Sequence, residues 1–234
     1  AKRRRRPKKG VRALEAVIYL LLGLVLVGAG FAAAVVVSAI RDLPALAGLE
    51  PEASEISIIY DRNGDVWTEL RSSEYRIPVS VNDMPQHLID AVLAAEDHRF
   101  YSHPGFDLRA IMRALYQNIV DDSSLQGGST ITQQLAKIAF LEYDRTLKRK
   151  VQDIIVAVLM ERKYTKKEIL EMYINQIHFG RGAHGAEAAA RAYFAKPVSE
   201  LTVDEAAFLA GAIRAPSYYG DKSNLEQAVK RRNT

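Results

Sequence analysis

Residues 94–107, AAEDHRFYSHPGFD, place Glu96 and Asp97 at the end of an apolar run, with His98, His103 and Asp107 close behind. Glu96 lies four residues after Val92, so on a helix its side chain starts near the buried face. A carboxylate at the rim of an apolar surface loses solvation, which raises its pKa and suits it to general acid–base work near neutral pH. The competing reading is a solvated helix end, although carboxylates there oppose the helix macrodipole. Grouped with Glu96, His98 and His103 match no standard zinc spacing, which favours orienting or structural histidines over metal ligands. Phe100 reads as a packing residue and Gly105 as a turn residue.

Two further stretches could do chemistry. QGGSTITQQLAK, residues 126–137, leads from a Gly-Gly pair into a helix start, with Thr130 and Gln133 at capping-box spacing and Lys137 one turn beyond Gln133. Backbone N–H groups at such an entry can receive an anion; an ordinary capped helix is the plainer alternative. In RTLKRKVQD, residues 145–153, Arg145, Arg149 and Asp153 are spaced by four and share one helical face. Arginine forks grip diphosphates, while an ion-pair ladder along the helix would need no ligand at all.

Elements must hold these groups. The first twelve residues carry eight of the positive charges, while the whole chain is only +4, so the remainder is net acidic. A nucleic-acid binder would carry its basic patch on the folded domain, so no nucleic-acid partner is expected. The tail (1–15) runs into residues 16–40, which contain no charge and, as a helix, are long enough to span a bilayer. The basic flank predicts a cytoplasmic N-terminus, with everything after Arg41 on the far side. A cleaved signal peptide is the alternative, but the apolar run exceeds a normal signal core.

Residues 41–55 read as a linker and 56–234 as one domain. It opens on a hairpin around Asn63-Gly64 and continues as a series of helices. Apolar stripes predict one helix through Leu88, Ile89, Val92 and Leu93. A second is capped by Asp107 and carries Leu108, Ile111, Met112, Leu115 and Ile119. Thr165 with Glu168, and Thr202 with Glu205, predict two capping boxes. The loop VDDSSLQGG, residues 120–128, is a candidate lid. There is no cysteine, hence no disulfide, thiolate metal site or cysteine nucleophile. Acids at a helix edge, a glycine-rich helix entry and several cations behind an anchor suit a lipid-linked, phosphate-bearing substrate. There is no Gly-x-Ser-x-Gly elbow, and no Rossmann-like strand precedes the glycines.

From about Ile58 to Asn233 the chain resembles the peptidoglycan glycosyltransferase family 51 domain of class A penicillin-binding proteins and monofunctional transglycosylases. EDHRFYSHPG resembles that family's first motif, GGSTITQQLAK its second, RKVQD its third and EILEMYINQIHFGRGAHGAEAAARAYF its fourth. LTVDEAAFLAGAIRAPSYY resembles the fifth, and AVKRRN the close of the domain. The resemblance implies a mainly α, lysozyme-like helical domain with a small membrane-proximal lobe behind one N-terminal transmembrane helix. It implies polymerisation of lipid II into β-1,4 glycan strands with inversion at MurNAc C1 and release of undecaprenyl diphosphate.

On that basis Glu96 is the general base and Asp153 takes the place of a second important glutamate. Ser129, Thr130, Gln134 and Lys137 lie along the donor cleft, and Lys137, Arg145 and Arg149 contact the diphosphate. Asp97, Phe100 and His103 shape the wall around Glu96. Arg214 and Ser217 lie near the donor phosphates, while Asn175, Phe179 and Gly180 keep the fold. The implied partners are lipid II, the growing undecaprenyl-linked glycan, the bilayer and other cell-wall synthesis proteins. The implied location is the bacterial plasma membrane, with the catalytic domain outside. No cofactor is required and no metal-ligand set is expected, although a divalent cation such as Mg2+ has a place beside the diphosphate. Three departures stand out: Asp153 for Glu, Ile138 where many members have Asn, and Arg214 where many have Lys. The last residues form a charged helical pattern without a terminator, which leaves room for a further C-terminal domain, such as a transpeptidase, after Thr234. A glycan-cleaving lytic transglycosylase or muramidase, or a weakly active scaffold, are the alternative readings.

Overall fold

The computed structural model describes residues 9–43, 57–70, 75–120, 127–140 and 146–233. Residues 1–8, Arg145 and most of the 41–55 and 120–128 segments lie outside them. Contacts divide the chain into two compact units, residues 1–44 with 144–152, and residues 45–143 with 153–234.

The first unit is built on helix α1 (Lys9–Arg41). Its stretch Glu15–Arg41 is long and apolar enough to cross a membrane. The helix starts earlier than the sequence pattern suggested and takes in residues 9–15 of the basic tail. Its last carbonyls would otherwise lack partners, as at any helix end. The opening turns of α5 (Leu147–Lys163) supply them. Gln152 Nε2 donates to the carbonyls of Ala39 and Asp42 at 3.2 Å each, and Lys148 pairs with the Asp42 carboxylate. Thr146 Oγ1 accepts from Arg149 N at 3.2 Å and caps this helix.

The second unit opens on the antiparallel hairpin β1 (Ser57–Tyr60) and β2 (Val66–Leu70), which carries a bulge at Ile59/Tyr60. Asp61 Oδ1 accepts from the N–H groups of Asn63 and Asp65 and holds the turn. After β3 (Tyr75–Arg76) come α2 (Gln86–Glu96), α3 (Leu108–Val120), α4 (Ile131–Phe140), the rest of α5, and α6 (Lys166–Gln176). The unit closes with β4 (His178–Gly180), β5 (Ala183–His184), α7 (Ala186–Phe194), α8 (Val203–Ala212), α9 (Pro216–Tyr219) and α10 (Leu225–Arg232).

Helix α2 packs on α8, α4 on α6, and α10 on α8. Leu88 and Val92 of α2, Leu135 of α4, Ile169 and Tyr173 of α6 and Leu209 of α8 are fully buried. The capping boxes form as their spacing predicts: Glu168 Oε2 accepts from Thr165 N at 2.7 Å, and Glu205 Oε2 from Thr202 N at 2.8 Å.

Two features differ from the sequence pattern. Asp107 caps α3 as expected, accepting from Arg109 N and Ala110 N, but the stripe of Leu108, Met112 and Leu115 is exposed. The period marks the helix and its apolar face, but periodicity does not say what covers a stripe. The helical reading of the 178–184 stretch also fails. There β5 pairs antiparallel with β4 and parallel with β3, making a three-stranded sheet. Strands this short show no alternation; the signal was the glycines, since Gly180, Gly182 and Gly185 all take positive φ.

Candidate active site

The second unit holds a cleft of about 770 Å3. Glu96 enters it from the last turn of α2; Ser129, Gln133, Gln134, Lys137 and Ile138 line it from the entry and first turns of α4. Asp153 of α5, Gln176 of α6, Arg76, His178 and His184 of the small sheet, Arg214 of the α8–α9 turn, Ser217 of α9 and Arg231 of α10 complete the polar lining.

Glu96 is partly buried, and burial pushes its carboxyl above the usual glutamate range. Gln134, Arg231 and Arg214 pull the other way, in that order, and Asp97 adds a little to the rise. The Gln134 contact is direct: its Nε2 donates to Glu96 Oε2 at 2.7 Å.

Asp97, the next residue, is buried and faces elsewhere, because its extended backbone (φ −159°) leaves the helix. Its Oδ2 accepts from Ile131 N at 3.1 Å and from His103 Nε2 at 2.9 Å. His103 Nδ1 accepts from Gly105 N at 3.3 Å, which assigns the ring proton to Nε2. Thr130 Oγ1 donates to the Gly105 carbonyl at 2.6 Å and accepts from Gln133 N, so the predicted box at the start of α4 also grips the preceding turn. A Cβ on Gly105 would sit 2.9 Å from the Ala157 backbone, so this glycine lets the turn press against α5.

Four of the expected site residues stand back from the cleft. Asp97, Phe100, His103 and Thr130 do not line the cleft. They are buried behind it and fix the end of α2 to the start of α4. Phe100 lies in the core with Lys166 over its ring at 4.3 Å. Ser129, Gln134, Lys137, Asp153, Arg214 and Ser217 do converge with Glu96. Arg149 belongs to the first unit and is absent from the lining; Arg145 lies outside the described residues.

Arg76, His178, His184 and Arg231 are cleft residues that sequence reasoning missed. His178 and His184 are register partners across β4 and β5, with rings stacked at 4.6 Å. Arg231 comes from the basic end of the last helix, where its charge alone gave no sign of reaching Glu96. Its stem crosses α8 at Gly211, where a Cβ would meet Arg231 Cγ at 3.3 Å.

Asn175, Phe179 and Gly180 hold the frame. Asn175 bonds both the N–H and the carbonyl of Val79, at 3.0 and 2.8 Å. Phe179 is fully buried. A Cβ on Gly180 would lie 2.4 Å from the Pro216 carbonyl, so β4 touches the helix that bears Ser217.

The transglycosylase family matches residues 63–234, which contain this whole cleft. The chain belongs to the transglycosylase family. It is 46% identical over 178 residues to penicillin-binding protein 1F of Bacillus subtilis, covering 76% of this chain and 25% of that one. Penicillin-binding protein 1A of Aquifex aeolicus is also 46% identical, over 183 residues, 78% of this chain and 25% of its own. The structure of penicillin-binding protein 1A from Haemophilus influenzae is 28% identical, with a TM-score of 0.41 over 78% of this chain and 17% of its own. The chain thus spans about a quarter of the length of the curated relatives it matches. The Thr130–Gln133 box within one motif and the Asp97–Ile131 bond between two motifs hold the segments that bring Glu96 and Gln134 together.

Proposed function

We propose that the cleft joins sugars of lipid II, extending a β-1,4 glycan strand as a peptidoglycan glycosyltransferase. The observation that carries this reading is Glu96, partly buried at the rim of a cleft that also presents Arg76, Lys137, Arg214 and Arg231. A sugar hydroxyl is a poor nucleophile, and its attack is helped by a base that removes its proton as the new bond forms. Glu96 takes the proton from the 4-hydroxyl of the acceptor GlcNAc; its raised pKa makes it a stronger base than an exposed glutamate. The freed oxygen bonds to C1 of the donor MurNAc from the face opposite the leaving group. The C1–O bond to undecaprenyl diphosphate breaks, its electron pair leaves with the diphosphate, and the anomeric centre inverts. Lys137, Arg214 and Arg231 offset the charge that develops there. Ser129 and Ser217 supply neutral hydrogen-bonding groups along the same wall.

Among the described residues no group of three or more His, Asp or Glu side chains could hold a metal. A divalent cation at Asp153 would draw most of its ligands from water and the diphosphate. The helix Glu15–Arg41 supports a membrane-anchored enzyme with its basic N-terminus in the cytoplasm and the cleft outside. The exposed Leu108, Met112, Leu115 and Tyr116 of α3 fit an outer-leaflet surface from which a long-tailed donor need not be extracted. A glycan-cleaving enzyme would have less use for the cations, which is why polymerisation is preferred. Incubating the protein with lipid II tests the choice: longer glycans that disappear in Glu96→Gln support it, and fragments released from intact sacculi would replace it.

A further inference from the structure

Glu96 receives its hydrogen bond from an amide that is itself held. Gln134 Nε2 donates to Glu96 Oε2 at 2.7 Å, while Gln134 Oε1 accepts from the hydroxyl of Tyr173 at 3.1 Å. Tyr173 stands in the middle of α6, fully buried, and it does not line the cleft. We propose that Tyr173 is a positioning residue for the general base: its hydroxyl locks the Gln134 amide with the N–H side toward the Glu96 carboxylate. The inference rests on the assignment of Glu96 as base.

The base's protonation depends on which way the amide points. A side-chain amide can offer a carboxyl group either its NH2 or its oxygen. The NH2 stabilises the ionised, proton-accepting carboxylate; the oxygen can meet only a protonated carboxyl without repulsion. Tyr173 decides between them. Burial, and next the nearby Glu96 and Asp97, hold its phenol well above the usual tyrosine range, so it carries its proton at any working pH. In the observed orientation that proton goes to Gln134 Oε1. Turned over, the amide would make the phenol oxygen an acceptor and take away the buried hydroxyl hydrogen's partner, which is costly. The lock therefore favours the basic form of Glu96, against the desolvation that favours its acid form.

The other charges facing Glu96 are Arg231 from α10, Arg214 from the α8–α9 turn and Asp97 beside it. Lys137, Asp153, Arg76, His178 and His184 share the cleft. The Gln134 oxygen is held by the Tyr173 hydroxyl at 3.1 Å, and this bond sets the orientation of the amide.

The test is the pH dependence of kcat/KM for lipid II polymerisation in the full chain, for wild type, Tyr173→Phe, Gln134→Leu and the double variant. Tyr173→Phe is expected to move the acid limb to higher pH and to lower kcat/KM about tenfold at pH values below it, mainly through kcat, because the residue does not touch substrate. Gln134→Leu moves the limb in the same direction. In the Gln134→Leu background, Tyr173→Phe should move it no further, since the amide it acts through is gone. If the phenylalanine variant does not fold, Tyr173→3-fluorotyrosine keeps the ring and makes the hydroxyl a stronger donor, so the limb should shift to lower pH. An unmoved limb in both Tyr173 variants, or equal shifts with and without Gln134, overturns the proposal. Full polymerisation by Glu96→Gln would instead overturn the assignment of the base; loss there with an unmoved limb in the Tyr173 variants sinks only the lock.

Discussion

Replacing Glu96 with Gln should abolish polymerisation and make the protein more stable at neutral pH. In the folded chain the Glu96 carboxyl is held above its ordinary range, chiefly by burial. Its folded pKa exceeds its unfolded one, so the folded state binds more protons between the two values, and stability falls as pH rises through that window. Above the window the folded chain holds an anion in a place that disfavours it. Glutamine keeps the shape and an oxygen for Gln134 to donate to, and removes the charge. The opposing effect is the loss of Arg231 and Arg214 as ionic partners. Because burial outweighs both, the net change favours the variant. Substitutions that relieve a functional strain of this kind commonly gain about 0.5–2 kcal/mol. Each kcal/mol raises Tm by roughly 2–4 °C in a domain of this size.

The assay is thermal melting of wild type and Glu96→Gln in the same detergent across pH 4 to 8. The gain in Tm should be present at pH 8 and shrink on acidification, vanishing below the ordinary glutamate value of 4.5, where both chains are neutral at this position. A variant that melts at or below wild type at pH 8 would mean that the cleft cations, rather than desolvation, set the carboxyl. The case for Glu96 as a tuned base would then fail.

Four other substitutions probe the frame and the second cleft acid. Gly180→Ala should lower Tm by several degrees and impair turnover, since its Cβ would press on the Pro216 carbonyl. Gly182→Ala, also at positive φ but with nothing within 4 Å, should cost only about 1–2 kcal/mol in melting experiments. Asp97→Asn should cost about 1–3 kcal/mol, because the bonds that Oδ2 accepts from Ile131 N and His103 Nε2 would be made to a neutral amide oxygen in place of a charged carboxylate. Loss of its charge should also move the acid limb of kcat/KM to lower pH. Asp153→Glu extends the cleft carboxylate by one carbon–carbon bond and should raise turnover or change its dependence on divalent cation in the lipid II assay; no change in either would show that the shorter side chain costs nothing.

What could be read from the sequence was what is encoded within one or two turns of chain. The capping boxes at Thr130, Thr165 and Thr202, the Asp107 cap and the Asn63-Gly64 turn all follow from spacing, because donor and acceptor are neighbours in sequence. Glu96 was legible for the same reason, through its place one turn after Val92. What needs tertiary contact was not. Nothing in AAEDHRF or TITQQL says that Asp97 will meet Ile131 N, and nothing in AVKRRN says that Arg231 will pass Gly211 to reach the cleft. The α3 stripe shows the limit in the opposite sense: its period was plain, but the period of an apolar face is the same whether protein or another apolar phase covers it.

The adjacent acids at the end of α2 explain why an apolar helix stops on charges. Glu96 is the last helical residue and Asp97 the first to leave the helix, so one peptide bond sends their side chains into different surroundings. Asp97 is sealed by a backbone N–H and a neutral histidine whose proton is fixed by Gly105 N, contacts that hold α2 to α4. Glu96 has one amide donor and a partly dry setting, which leaves a lone pair for a substrate proton. Two carboxylates in unlike environments can divide two tasks between them. Here the division is between holding the frame and doing the chemistry, and the first makes the second possible: without the Asp97 bond to Ile131, the helix bearing Gln134 would lose its register on the helix bearing Glu96.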